Sequence, residues 1–190
     1  MLTSMRAVML QPPPGFLEER RRLGHDLRDE VWDGELHMVP PPALLHQKLS
    51  TKLVVFLAPI VAARGFELIH EAGLYESERN YRVPDVTVYD AKHESPRGID
   101  GHAILAIEIL SPSDESREKL PFFAKLGVTE VWLVEPDTRT VEVYVLRGDR
   151  YFAVAPDPNG ATRAPALGIA LETLDGPKLQ LTAGDVSTAI

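Results

Sequence analysis

Two carboxylates stand where the sequence gives them little solvent. Glu108 lies inside AILAIEILS, Ala103 to Ser111, and Asp85 follows Pro84 at the mouth of a second apolar stretch, VTVYD. Side chains of an extended strand alternate faces. Ile104, Ala106, Glu108 and Leu110 therefore share one side, and Leu105, Ile107, Ile109 and Ser111 the other. Both sides are apolar around Glu108, the pattern of a central strand covered on both faces. Burial alone can raise a carboxyl pKa by roughly 3–5 units, so this acid must be neutral, paired, at a strand end or bound to a cation. Ser111, Pro112 and Ser113 put Glu108 near the C-terminal end of its strand, where open sheets gather their sites. Pro84 lacks an N–H and fits the start of a strand, which sets Asp85, Thr87 and Tyr89 on one face. If the two strands are neighbours, both acids can meet one hard cation such as Mg2+ or Mn2+. Such an ion offsets their desolvation and acidifies a bound water for hydrolysis. Spacing alone equally allows two solvated or salt-bridged acids.

The elements that must position these residues follow from periodicity and turn chemistry. Residues 1–15 read as a flexible tail ended by Pro12, Pro13 and Pro14, and 16–190 as a single domain. A short helix is predicted over Phe16 to Leu23, then a tight hairpin in EVWDGELHMV turning on Asp33-Gly34. Leu45, Leu49, Leu53, Phe56, Leu57 and Ile60 recur on one face of a long helix. Gly65 suits its stop, and Pro59 predicts a kink or an early end. FELIHE and VTVYD read as strands, AGLYESERNYR as a strand and turn, and KHESPRGIDG as a loop. Ser113 is placed to cap the next helix, which runs to about Leu126 and requires Pro121 in its first turn. TEVWLVE and TVEVYVLR form a hairpin across PDTR, RYFAVAP follows, and the tail from Asp157 carries short strands. This mixed order predicts an α/β (α+β) fold, a mixed sheet flanked by helices with additional β-hairpins.

Composition bounds the partners. The chain has 190 residues, 44% hydrophobic and 25% charged, as in ordinary soluble domains. No run is expected to reach a membrane span, and the N-terminus lacks the features of a signal peptide. Without cysteine there is neither a disulfide framework nor a thiolate metal site, which fits a cytoplasmic location. The formal net charge of -8 weighs against nonspecific nucleic-acid binding, which Lys and Arg drive. The densest basic run, ERRRLGHDLR from Glu19 to Arg28, reads first as the wet face of a short helix. Nucleophile elbows, phosphate loops, HExxH and dinucleotide fingerprints are all missing.

Pro84-Asp85 followed by Glu108 in an apolar strand resembles the PD-(D/E)xK nuclease pattern. EVWDGELHMVPPP with His46-Gln47 after it, VPDVTVYD, AIEILSPS and EKLPFFAKLGVTEVWLVEPDTRTVEVYVL together resemble the Uma2 family of restriction-endonuclease-like proteins, in the family's order and across most of Glu30 to Leu146. That resemblance implies a restriction-endonuclease-like core and Mg2+- or Mn2+-dependent cleavage of DNA phosphodiester bonds. It makes Asp85 and Glu108 the metal ligands. The Lys expected two residues after Glu108 is replaced by Leu110, and Lys119 in REKLPFF takes the position of the family's displaced lysine. Glu35 and His46 occupy further positions that the family pattern marks, and Glu71 is an additional acid of interest.

Each residue also has a plain structural reading: Lys119 beside Glu115 or Glu118, Glu35 on an exposed hairpin face, His46 as a helix-start hydrogen bonder. Trp32 and Trp132 read as core or interface residues. The competing functional class is a noncatalytic binding or assembly module on the same scaffold, and a hydrolase of smaller phosphoesters is a third. TVEVYVLR also suggests pairing or packing with a second copy, a homodimer.

Overall fold

The computed structural model describes residues 7–111 and 115–190. The expected cap at Ser113 lies outside them. Six strands form the sheet that carries Asp85 and Glu108, in the order Arg150–Ala153, Val141–Arg147, Glu130–Val134, Leu105–Ile109, Val86–Tyr89 and Glu67–His70. Leu105–Ile109 runs parallel to Glu130–Val134 and antiparallel to Val86–Tyr89, so the sheet is mixed, as the element order predicts.

The alternation read from AILAIEILS holds. Leu105, Ile107 and Ile109 join Val86 and Val88 in one core, against Leu49, Leu53, Phe56 and Leu57 of the helix Leu44–Ala62. Ala106 and Leu110 join Tyr89, Phe122, Phe123 and Val131 in a second core on the opposite face. An antiparallel four-stranded sheet, Thr162–Ala164, Ile169–Leu174, Lys178–Ala183 and Val186–Ala189, adds Leu171, Leu179 and Leu181 to the first core.

A seven-stranded sheet brings together the N-terminal hairpin and the segments around residues 74–100. Its order is Ala7–Met9, Glu35–Met38, Glu30–Trp32, Asn80–Arg82, Leu74–Ser77, Gly98–Asp100 and Glu94–Ser95. The hairpin turns as Asp-Gly predicts, with φ of 49° at Asp33 and 98° at Gly34. Three expectations are corrected here. Ala7–Met9 is not loose tail, because it pairs with Leu36 to Met38. AGLYESERNYR holds two paired strands rather than one. Part of the KHESPRGIDG loop is a small antiparallel pair whose second strand lies parallel to Leu74–Ser77.

The long helix also departs from its reading. It passes Pro59 and ends at Ala62. The carbonyl that Pro59 leaves unpaired belongs to Val55, which is 69% exposed, so water can satisfy it and the helix has no need to break. By length and composition this helix is long and apolar enough to cross a membrane, contrary to the sequence-based expectation. Here its Leu49, Leu53 and Leu57 are fully buried against the sheet. Strand Val141–Arg147 is hydrogen-bonded on both sides, so of the two expected routes to a second copy, edge pairing is closed and face packing is the one left.

Leu53 touches the first core from the centre of the long helix and has no exposure. Leu53→Ala is expected to lower the unfolding free energy by about 2–5 kcal/mol through lost transfer energy and a residual cavity. A urea midpoint that falls with an unchanged slope checks this.

Candidate active site

The register of two strands decides whether the acids meet. Leu105 pairs with Val88, Ala106 with Thr87 and Ile107 with Val86. Asp85 is the bend residue just before Val86, so this pairing brings it to the strand end that carries Glu108, near enough for its charge to act on Glu108. A hydrogen bond closes this end: the Ile109 N–H donates to Asp85 Oδ2 at 2.6 Å. Pro84 and Asp85 lie in the short segment by which the chain crosses from Asn80–Arg82 of the seven-stranded sheet to Val86–Tyr89 of the six-stranded one. The acid pair therefore sits where two sheets join.

Lys119 reaches this point. It ends a short 3-10 turn, Ser116–Lys119, that leads into the helix Leu120–Lys125, with Pro121 in the first turn as its missing N–H requires. Phe122 and Phe123 are buried in the second core, which draws the turn down onto the sheet. The Lys119 ammonium donates to Glu108 Oε1 and Oε2, each at 3.0 Å, and to Glu30 Oε1 at 2.7 Å. All three side chains are at most 5% exposed. The reading of Lys119 as a solvated surface residue is thereby corrected, since neither Glu115 nor Glu118 is the acid that holds it.

Glu30 was not singled out in the sequence; Glu35 was. The structure leaves Glu35 exposed beside the hairpin turn and puts Glu30 in the cluster. Glu30 also accepts from the Val83 N–H at 2.9 Å and the Trp32 indole N–H at 2.8 Å. Burial pushes its carboxyl up, but the Lys119 charge and these three donors outweigh that and hold it below the usual carboxylate range. Glu108 goes the other way. Burial pushes it up, Lys119 pulls it down, and the nearby Asp85 and Glu30 charges repel it, leaving it at about 8. Lys119 is pushed down by burial and lifted further by Glu108 and Glu30, so it stays protonated.

Arg82 completes the enclosure. Its guanidinium lies 4.2 Å from the ring centroids of both Trp32 and Phe122, a two-sided cation–π arrangement. It donates to the Val31 carbonyl, Asn80 and the Tyr81 carbonyl, and burial lowers its pKa to about 10. Trp32 thus packs on Arg82 and on His37, and Trp132 is fully buried.

On the other side of Asp85, His46 Nε2 lies 3.2 Å from Oδ2. Burial pushes the imidazole down, but its bond to Asp85 and the Asp85 and Glu71 charges raise it above the ordinary histidine value. Glu71 accepts from Gln47 and Arg28 and holds a left-handed backbone, φ 51°, as its N–H reaches the Asp85 carbonyl. The basic run before the hairpin is consumed in such pairs: Arg20 with Asp29, Arg21 with Glu78, Arg22 with Glu19, Arg28 with Glu71. A cavity of about 260 Å3 between Val141, Thr162, Leu171 and Leu179 contains none of these groups and has no ionisable lining.

The donor set suits a divalent cation of the Mg2+ class. Asp85 and Glu108 are hard oxygen donors, and Glu108 is an acid pushed up by burial first and then by the Asp85 and Glu30 charges, a setting that positive charge relieves. Mg2+ is commonly held by one or two carboxylates with waters filling the remaining positions, and two carboxylates are what the register supplies.

A family model described as "Uma2: Putative restriction endonuclease" matches residues 16–175. Among solved structures, the chain is similar to a protein from Anabaena variabilis ATCC 29413, described as a putative nuclease belonging to DUF820. The two share 22% identity over 74% of this chain and 83% of that one, with a TM-score of 0.59, a likeness of fold. No curated protein matches.

Replacing Lys119 by Met would leave Glu30 and Glu108 buried without their cation. Lys119→Met is expected to destabilise the protein by about 3–5 kcal/mol at about pH 8.5. Both folded carboxyls would then lie above their unfolded values, so stability is retained at low pH and lost as pH rises through the folded values. Urea midpoints should show a smaller deficit from wild type at about pH 5.5 than at about pH 8.5; an equal deficit would contradict the buried-carboxylate account.

Proposed function

The chain belongs to the Uma2 family, and on that footing we propose that it is a Mg2+- or Mn2+-dependent endonuclease that hydrolyses DNA phosphodiester bonds. Asp85 and Glu108 are the metal-holding pair, and Lys119 stands beside them. The observation that carries this reading is that the strand pairing and the Ile109 N–H bond to Asp85 bring Asp85 to the Glu108 end of its strand, with the Lys119 ammonium 3.0 Å from Glu108. A divalent ion bound there supplies an activated water and a counter-charge for the phosphate.

The chain's own groups have separable tasks. The Ile109 N–H and His46 fix the Asp85 carboxylate, so its free oxygen is aimed rather than mobile. Glu108, pushed up by burial and by the Asp85 and Glu30 charges, is favoured as a ligand when positive charge arrives. Lys119 keeps a permanent charge in a dry site, where it acts on a developing phosphorane more strongly than it would in water. Leu110, at the position of the motif's usual lysine, is 8% exposed within the second core. Lys119 brings the ammonium to Glu108 from the following turn instead.

One observation favours a second reading. Among the described residues, no group of three or more His, Asp or Glu is arranged to hold an ion, as a noncatalytic binding or assembly module would have it. Calorimetry with Mn2+ separates the two: a nuclease shows binding that depends on Asp85, a module shows none.

Asp85→Asn and Glu108→Gln each preserve volume. Both are expected to fold and to lose at least about 100-fold in metal-dependent nicking of supercoiled DNA. Nicking at the wild-type rate by either folded variant would sink the assignment.

A further inference from the structure

Glu30 has more invested in it than a hairpin residue needs. Its Oε1 takes both the Lys119 ammonium at 2.7 Å and the Val83 N–H at 2.9 Å, and its Oε2 takes the Trp32 indole N–H. Those donors come from three separate parts of the chain, and Glu30 is 2% exposed. Val83 stands two residues before Asp85, so one carboxylate anchors both the ammonium and the backbone that delivers the metal-holding acid.

An ammonium has three N–H donors, and Lys119 directs two contacts to Glu108 and one to Glu30. A cation arriving at Asp85 and Glu108 needs the same Glu108 oxygens. Lys119 is 5% exposed and cannot retreat into water, and a buried charge stripped of its only partner is severely destabilising. With Glu30 in place, Lys119 can release Glu108 and still be paired. Without Glu30, Glu108 is the sole carboxylate holding Lys119, and the ammonium competes with the incoming ion.

Building on the metal-dependent reading above, we propose that Glu30 is a positioning residue: it retains Lys119 while Glu108 turns to the divalent ion, and so lowers the barrier to metal occupancy without touching the metal. Glu30's role is to let one buried acid exchange an internal cation for an external one.

Calorimetric titration with Mn2+ of wild type, Glu30→Gln, Asp85→Asn and the double variant Glu30→Gln/Lys119→Met tests this. Glu30→Gln is expected to weaken binding by about 10-fold or more, and removing Lys119 in the same chain should restore most of that loss by removing the competitor. A Glu30 that served only the hairpin would leave Mn2+ affinity unchanged, and that result overturns the proposal while leaving the metal site standing. Wild-type protein with no Asp85-dependent binding overturns both.

A second measurement needs no variant. The two tryptophans each donate an indole N–H to a glutamate, Trp32 to Glu30 and Trp132 to Glu130. In 15N-labelled wild type, saturating Mg2+ should shift the Trp32 indole resonance as Lys119 settles on Glu30, with Trp132 as the internal control. An unmoved Trp32 signal at saturation rejects the exchange.

Discussion

One buried ammonium holds the site together. Lys119 bridges Glu30 on the seven-stranded sheet and Glu108 on the six-stranded sheet, and the segment between the sheets carries Asp85. Remove that charge in thought and the junction has two acids facing each other in a low-dielectric interior, where like charges at close range repel strongly. The apolar surroundings reinforce the demand. Phe122 and Phe123 pack the turn that carries Lys119 into the core, so the lysine has no route to solvent. The Arg82 guanidinium between Trp32 and Phe122 fastens the same hairpin from behind. Stability of the junction and the proposed readiness to accept a cation would have the same origin: enclosed acids whose charge the chain balances with one shared ammonium.

Burial of an acid does not by itself mark a site, and the neighbouring strand shows why. Glu130, fully buried in Glu130–Val134, also sits in an apolar run. It accepts the Trp132 indole N–H and the Ala166 N–H, and its carboxyl is raised by burial. Its partners are neutral donors that tie the C-terminal sheet to the central one. Glu108 differs in kind: its partner is a shared cation, and Asp85 and Glu30 push against it. What separates the structural acid from the candidate ligand is the company of other charges.

Local patterning carried much of the fold. The alternation of AILAIEILS, the helix face Leu49–Leu53–Phe56–Leu57 and the Asp-Gly turn are short-range signals, and each matches the structure. The convergence of Asp85 and Glu108 was legible only as a condition, because strand adjacency is a long-range fact. Glu30 was missed for a related reason. Val31 and Leu36 point into one small core, so Glu30 and Glu35 share the opposite face of the hairpin. Nothing local says that Val83 and Lys119 cover one end of that face and leave the other in water. Arg82 gave no signal either, since its two aromatic neighbours lie 50 and 40 residues away in the sequence. The paired strands within KHESPRGIDG are too short for periodicity to reveal and exist through their pairing with Leu74–Ser77.

The charge distribution constrains how such a site would meet a polyanion. With a formal net charge of -8 and Arg20, Arg21, Arg22 and Arg28 each engaged by a carboxylate, long-range steering of DNA is unfavourable. On the proposed reading, the attraction at the site itself would come from a divalent ion and from Lys119. If the proposed metal site holds, occupancy would then matter for contact with phosphate as well as for the chemical step. On the proposed reading, an enclosed acid pair that disfavours a polyanion when empty and favours it when loaded would couple substrate engagement to the ion.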